Sequence, residues 1–185
     1  MEIAVIIAII TSSLTAILSI ASILIGVVER KKQNRISVIA GTRLKYLEQI
    51  RKANAEFSGR TDPMEIRCCS SLKNQNYPVD LCVAMARLKS YLKPFYILEA
   101  KVLEKAEILT KVCLEQYSNL DIDLTEKIDK LRESYDKLFA QYDWSFWEFI
   151  KLQYDGKNLD NSLNFNAVYE NTKKSIDNSS YIWEE

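Results

Sequence analysis

From Ile3 to Val28 the chain carries no charged residue, and Ile, Val, Leu and Ala make up most of the stretch. At about 1.5 Å per residue such a run forms a helix roughly 39 Å long, against a hydrocarbon core about 30 Å thick. The segment therefore reads as a transmembrane helix that spans with some tilt. A cleaved signal peptide would need an apolar region of only about 7–15 residues behind a positive n-region. Here the run is longer, and the early charge is the acid Glu2. The expectation is an uncleaved anchor over residues 1–29.

Arg30, Lys31, Lys32 and Arg35 follow the apolar run directly. By the positive-inside rule they place the C-terminal domain in the cytoplasm and the short N-terminus outside. The same cations suit an anionic leaflet, where each gains about 1 kcal/mol. Net charge is zero but unevenly spread: residues 29–60 carry nine Lys/Arg against three acids, and residues 121–185 carry eight against fourteen. That basic footprint is too small for a nucleic-acid surface, so no nucleic-acid partner is expected.

Within the apolar run, Ala8, Ser12, Thr15, Ser19, Ser22 and Gly26 recur at alternating spacings of four and three. In lipid no hydrophobic effect drives helices together, and close approach of small residues does so instead. The stripe is read as a helix–helix interface, and the chain as a homo-oligomer. Ala4, Thr11, Ser13, Ala16 and Ala21 are also small and lie off the stripe.

The soluble part, residues 30–155, reads as an elongated cytoplasmic bundle of three to four long helices, and the fold class as all-α. Four Gly and three Pro in the whole chain leave few breaks, and strand-type alternation is absent. With nothing to interrupt it, the membrane helix should run on through Ile36, Ile39, Arg43, Leu47, Ile50, Asn54 and Phe57 to a stop at Ser58–Pro63. A short helix is expected over Met64–Leu72 and a loop over Asn74–Pro78. Asp80 is expected to cap a helix carrying Leu81, Met85, Leu88 and Leu92, with Pro94 either kinking it or opening another. Phe95, Leu98, Val102, Ala106, Leu109, Cys113 and Tyr117 form one stripe. Asp123 with Glu126 reads as a capping box ahead of Ile128, Leu131, Tyr135, Leu138 and Tyr142. Asp143–Ile150 should form a separate short closing helix. Residues 156–185 read as a polar, Asn-rich tail with one weak helical signal at Phe165, Val168, Tyr169, Thr172 and Ile176.

Catalytic chemistry finds little support. The chain has no His, which removes the commonest general base and zinc ligand. Cys68, Cys69, Cys82 and Cys113 lack the paired spacing of structural zinc sites and read as buried small hydrophobes. Glu104/Glu107 and Asp129/Glu133 share helical faces but are interleaved with Lys and Arg, the pattern of a salt-bridged surface. No enzyme activity, cofactor or metal is expected. Trp144 and Trp147 suit either a core or a partner contact. Tyr181 and Trp183, in the polar tail, are further candidate contacts for a protein partner.

The segments Arg43–Arg51, Ala55-Glu56-Phe57, Leu88–Pro94 and Trp144–Lys151, in that order behind an apolar anchor and a basic stop, resemble a diffuse group of bacterial single-pass helical membrane proteins. Some of these sit among phage-defence genes as membrane effectors. The chain departs from that group at Lys93-Pro94, where the group carries Asn-Pro, and in its Asn-rich tail. The resemblance implies a bacterial inner membrane and a membrane-perturbing antiviral defence effector, and supplies no catalytic residue. The alternative is a passive anchor or scaffold that localises a soluble partner.

Overall fold

The computed structural model describes residues 2–94, 96–119, 121–154 and 165–178, with side chains from Ser13 onward except Gln153 and residues 172–178. Helix α1 (Glu2–Arg60) runs unbroken for 59 residues, about 88 Å at 1.5 Å per residue. Its described side chains are exposed from Ser13 to Arg35, apart from half-exposed Gly26. Burial begins at Ile36 and Ile39, which are half-covered, and becomes complete at Ala40, Leu47, Ile50, Ala53 and Phe57. One helix therefore serves as both the apolar lead and the spine of the bundle.

The stop lies where the sequence placed it. The Thr61 N–H donates to the Phe57 carbonyl at 3.1 Å, and Pro63 has no N–H with which to continue. Asp62, in extended backbone, accepts from the Met64 N–H at 2.8 Å and starts α2 (Pro63–Ser71) with Pro63 in its first turn. The C-terminus of α2 closes by two bonds: Lys73 N–H to the Ser70 carbonyl (3.0 Å) and Asn74 N–H to the Cys69 carbonyl (2.8 Å). This is the left-handed cap that normally uses glycine, and here Lys73 adopts it at φ 50°.

Helix α3 (Tyr77–Tyr91) begins three residues before Asp80, so Asp80 is not the cap and Tyr77–Pro78 is not loop. Asn76 holds the N-cap position, and its carbonyl accepts from Asp80 N–H at 2.9 Å. Pro78 fits the first turn because its φ is already helical. Tyr77 is pulled in by full burial, with its hydroxyl donating to the Arg60 carbonyl at 2.8 Å. Asp80 instead lies in the first turn, where a carboxylate complements the helix dipole. Pro94 neither kinks α3 nor opens α4: α3 ends at Tyr91, and α4 (Ile97–Ser118) starts beyond Tyr96.

Along α4 the expected stripe is realised from Leu98 onward, with Leu98, Val102, Ala106, Leu109 and Cys113 fully buried and Tyr117 half-buried, while Phe95 lies outside the described residues. Helix α5 (Thr125–Tyr154) is continuous for 30 residues. The separate closing helix at Asp143–Ile150 does not exist, because no Gly or Pro interrupts this stretch. The capping box is half-formed: Asp123 accepts from Thr125 N–H at 3.1 Å, while Glu126 pairs with Lys130 at 2.7 Å rather than reaching back.

Helix α5 runs antiparallel to α1. Arg132 donates to the Ser58 carbonyl, Tyr135 meets Asn54, Asp143 meets Arg51 and Phe149 meets Arg43. Its inward face is an aromatic ladder of Tyr135, Phe139, Tyr142, Phe146 and Phe149, with successive rings about 6 Å apart. Helix α6 (Phe165–Asn178) folds back onto α5, burying Phe165, Val168 and Tyr169. The molecule is all-helical among its described residues, with α1, α3, α4 and α5 as long members and α2 and α6 as shorter ones.

Candidate functional site

The chemistry of interest lies on α1 and on the end of α5 that approaches it. Leu14, Ile17, Leu18, Ile20, Ile23, Leu24, Ile25 and Val28 all stand open, an arrangement water would penalise and lipid would not. By length and composition α1 is able to cross a membrane. Of the small-residue stripe, Ser19 Oγ donates to the Thr15 carbonyl at 2.8 Å. Ser22, likewise, donates to the Leu18 carbonyl at 2.9 Å, so both hydroxyls are satisfied within the helix. A Cβ on Gly26 would meet nothing within 4 Å. Ala8 and Ser12 lie on α1, but their side chains are outside the described set, as are Tyr181 and Trp183 altogether.

Beyond Val28, Arg30, Lys31, Lys32 and Arg35 are exposed, and none takes part in an ion pair among the described residues. The bundle's own cations contrast with this. Arg51 pairs with Asp143 in a two-pronged contact at 2.6 and 2.8 Å. Arg60 pairs with Glu65, Lys89 with Glu107, and Lys137 with Glu133. Both carboxylate pairs singled out from the sequence thus contribute a member to the surface ion-pair network: Glu107 in one, Glu133 in the other.

Where α5 reaches α1, a cleft of about 480 Å³ opens between Ser37, Ala40, Gly41 and Leu44 on one side and Trp147, Ile150, Lys151 and Tyr154 on the other. The sequence reading missed the α1 strip of this cleft. Its signal is positional: Ser37, Ala40 and Leu44 lie 18 residues after Ser19, Ser22 and Gly26, and 18 residues is about five turns. The stripe and the cleft therefore share one face of α1. The aromatic stretch divides between the two roles considered for it. Phe146, Phe149 and Ile150 are core, Trp147 is half-buried at the cleft, and Trp144 is 51% exposed. The Lys151 ammonium lies 5.6 Å from the Trp144 ring and 5.7 Å from that of Trp147, and is also paired with Glu148 at 2.7 Å.

A second polar group sits inside the bundle. Glu99 is 3% exposed, and its carboxylate accepts from the Lys93 N–H at the α3–α4 elbow. Burial raises its pKa, while the Lys93 hydrogen bond acts the other way. The Tyr142 hydroxyl faces this carboxyl without a properly directed hydrogen bond, and Tyr46 donates to the Tyr91 carbonyl beside it. These bonds tie the elbow to α4 and to α1. The cysteines divide too: Cys68 and Cys82 are exposed, contrary to the expectation that all four are buried, whereas Cys69 and Cys113 are buried. Both exposed cysteines lie on the outward faces of their helices, beside exposed Met64 and Leu72 in α2 and its cap and exposed Val79 in α3. Among the described residues no three Cys, Asp or Glu side chains converge as a metal site would require.

No protein family, curated protein or solved structure matches the chain.

Proposed function

We propose that this is an oligomeric single-pass protein of the bacterial inner membrane, whose cytoplasmic bundle binds or senses a protein partner and transmits that event to its membrane helices. In its active version it is a defence effector that perturbs the membrane. The observation that carries the reading is the unbroken α1, which is both the apolar span and a wall of the bundle core from Ala40 to Phe57. A rearrangement of the core against Leu47, Ile50 or Phe57 is then also a rotation or tilt of the span, because a continuous helix leaves no joint to absorb it. The cations after Val28, without an ion pair among the described residues, support a cytoplasmic bundle, and the stripe ending at Gly26 supports self-association.

Replacing Ser12, Ser19 and Gly26 together with Leu is expected to abolish self-association in a membrane two-hybrid assay. Unchanged association would refute the oligomeric reading. Induction that collapses the membrane potential supports the effector, whereas harmless expression refutes it and leaves an anchor for a soluble partner.

A further inference from the structure

We infer that the cleft between α1 and the end of α5 receives the α1 helix of a second copy of this chain, the two copies being related by a two-fold axis along the membrane normal. The inference rests on the proposed reading that α1 spans the membrane and self-associates, and it carries that interface out of the span and into the bundle.

The angular positions of residues around α1 set the geometry. At about 100° per residue, the α1 walls of the cleft, Ser37, Ala40, Gly41 and Leu44, centre on the direction of Leu44. The α1 residues that meet α5, namely Arg43, Arg51, Asn54 and Ser58, average about 60° to one side of it. With every pair of axes about 8–10 Å apart, three neighbouring helices stand about 60° apart around one another. A helix approaching along Leu44 therefore touches α1 and α5 together. Both spans cross the membrane in the same sense, so the two α1 helices run parallel and each occupies the other's cleft. The same axis carries the partner's α5 over the opposite flank of Leu44. Gly41 lies on that flank, exposed, and a Cβ there would meet nothing within 4 Å.

Charge complementarity points to a second copy as the occupant. Just past the span, Glu29 and Arg30 lie about 60° and 40° from the direction of Leu44, on opposite sides of it. In a parallel two-fold pair each Glu29 then faces the partner's Arg30. Both residues are exposed, and neither has an ion pair among the described residues. Lys31, Lys32 and Arg35, whose like charges would repel across the axis, stand about 120° or more from Leu44. A driving force is also present that the span lacks. Ser37 and Leu44 lie about 14 and 24 Å past Val28, on the aqueous side, and Leu44 and Tyr154 are 37% and 66% exposed. Covering this apolar surface recruits the hydrophobic effect, which lipid denies to the stripe.

The test is sedimentation equilibrium of the full chain in density-matched neutral micelles, read as a dimer dissociation constant. Gly41→Trp fits the open space within one copy but obstructs the partner, and should weaken the dimer by about tenfold or more. Glu29→Arg and Arg30→Glu should each weaken it about tenfold, because two like-charged pairs then face each other. Combining the two reversals should return the constant to within about threefold of that of the unaltered chain. The charge series decides the matter if Gly41→Trp misfolds. A dimer whose constant none of these changes alters overturns the cleft docking and leaves self-association through the span intact. Losses that add in the double reversal, or an assembly larger than a dimer, overturn the two-fold pairing. A chain that stays monomeric at every ratio of protein to detergent overturns the oligomeric reading and the cleft docking with it.

Discussion

Replacing Phe165 with Ala should release α6 from the bundle and leave the other helices standing. Phe165 is 5% exposed and inserts its ring among four others, with centroids 5.6 Å from Tyr96, 5.9 Å from Tyr142 and 5.8 Å from both Phe146 and Phe149. Truncating a core Phe costs about 3–5 kcal/mol. The lower figure applies here, because a terminal helix undocks instead of leaving a rigid cavity. Helix α6 has 14 residues, a length at which an isolated helix is marginal in water, so docking is what protects its amides. A loss of about 3 kcal/mol raises the opening equilibrium roughly a hundredfold. Hydrogen-exchange mass spectrometry on the full chain in nanodiscs should show that acceleration in peptides covering α6, with those of α4 unchanged. Phe165→Leu, which keeps most of the apolar body, should accelerate exchange by no more than about tenfold. Unaltered α6 protection in the Ala variant, or equal loss across α4 and α5, would refute this account of how the tail is held.

Other expectations concern single groups. Glu99→Gln should raise the melting temperature at neutral pH and flatten its pH dependence. A buried carboxyl with a raised pKa takes up a proton on folding, so its contribution is full below the ordinary value of 4.5 and is lost as pH rises through the folded value. Equal melting of the two proteins at every pH would sink the argument. Lys73→Gly should stabilise by about 1 kcal/mol in a denaturant titration, because glycine enters the left-handed cap without steric penalty. Maleimide should label exposed Cys68 and Cys82 quickly. Cys69 and Cys113 should lag, since burial raises both thiols, that of Cys113 to about 12; four equal rates would contradict the packing.

Periodicity made the helices legible wherever one stripe was apolar and uninterrupted. The Leu98–Cys113 stripe and the run through Leu47, Ile50 and Phe57 were readable because a 3.6-residue repeat leaves a mark that needs no partner. Helix starts were less readable. Asp80 has the right chemistry for a cap, but Tyr77 is anchored through the Arg60 carbonyl, and that contact moved the start upstream. The helical signal from Phe165 to Ile176 was legible and α6 forms there, but nothing in the sequence foretold that it docks. Among the described residues, Phe165, Val168 and Tyr169 seat it against the aromatic wall of α5.

By itself the sequence determined that the chain is all-helical and that its first helix is long and apolar enough to cross a membrane, because both properties belong to single segments. It also placed the four cations beside that segment. Only the tertiary structure decided what stands next to what. Helix α5 returns along the bundle half of α1, and Trp147 and Tyr154 face Ser37 across a cleft. Those relations join residues far apart in the chain. They follow from how helices of given length and face pack together, and no local pattern records them.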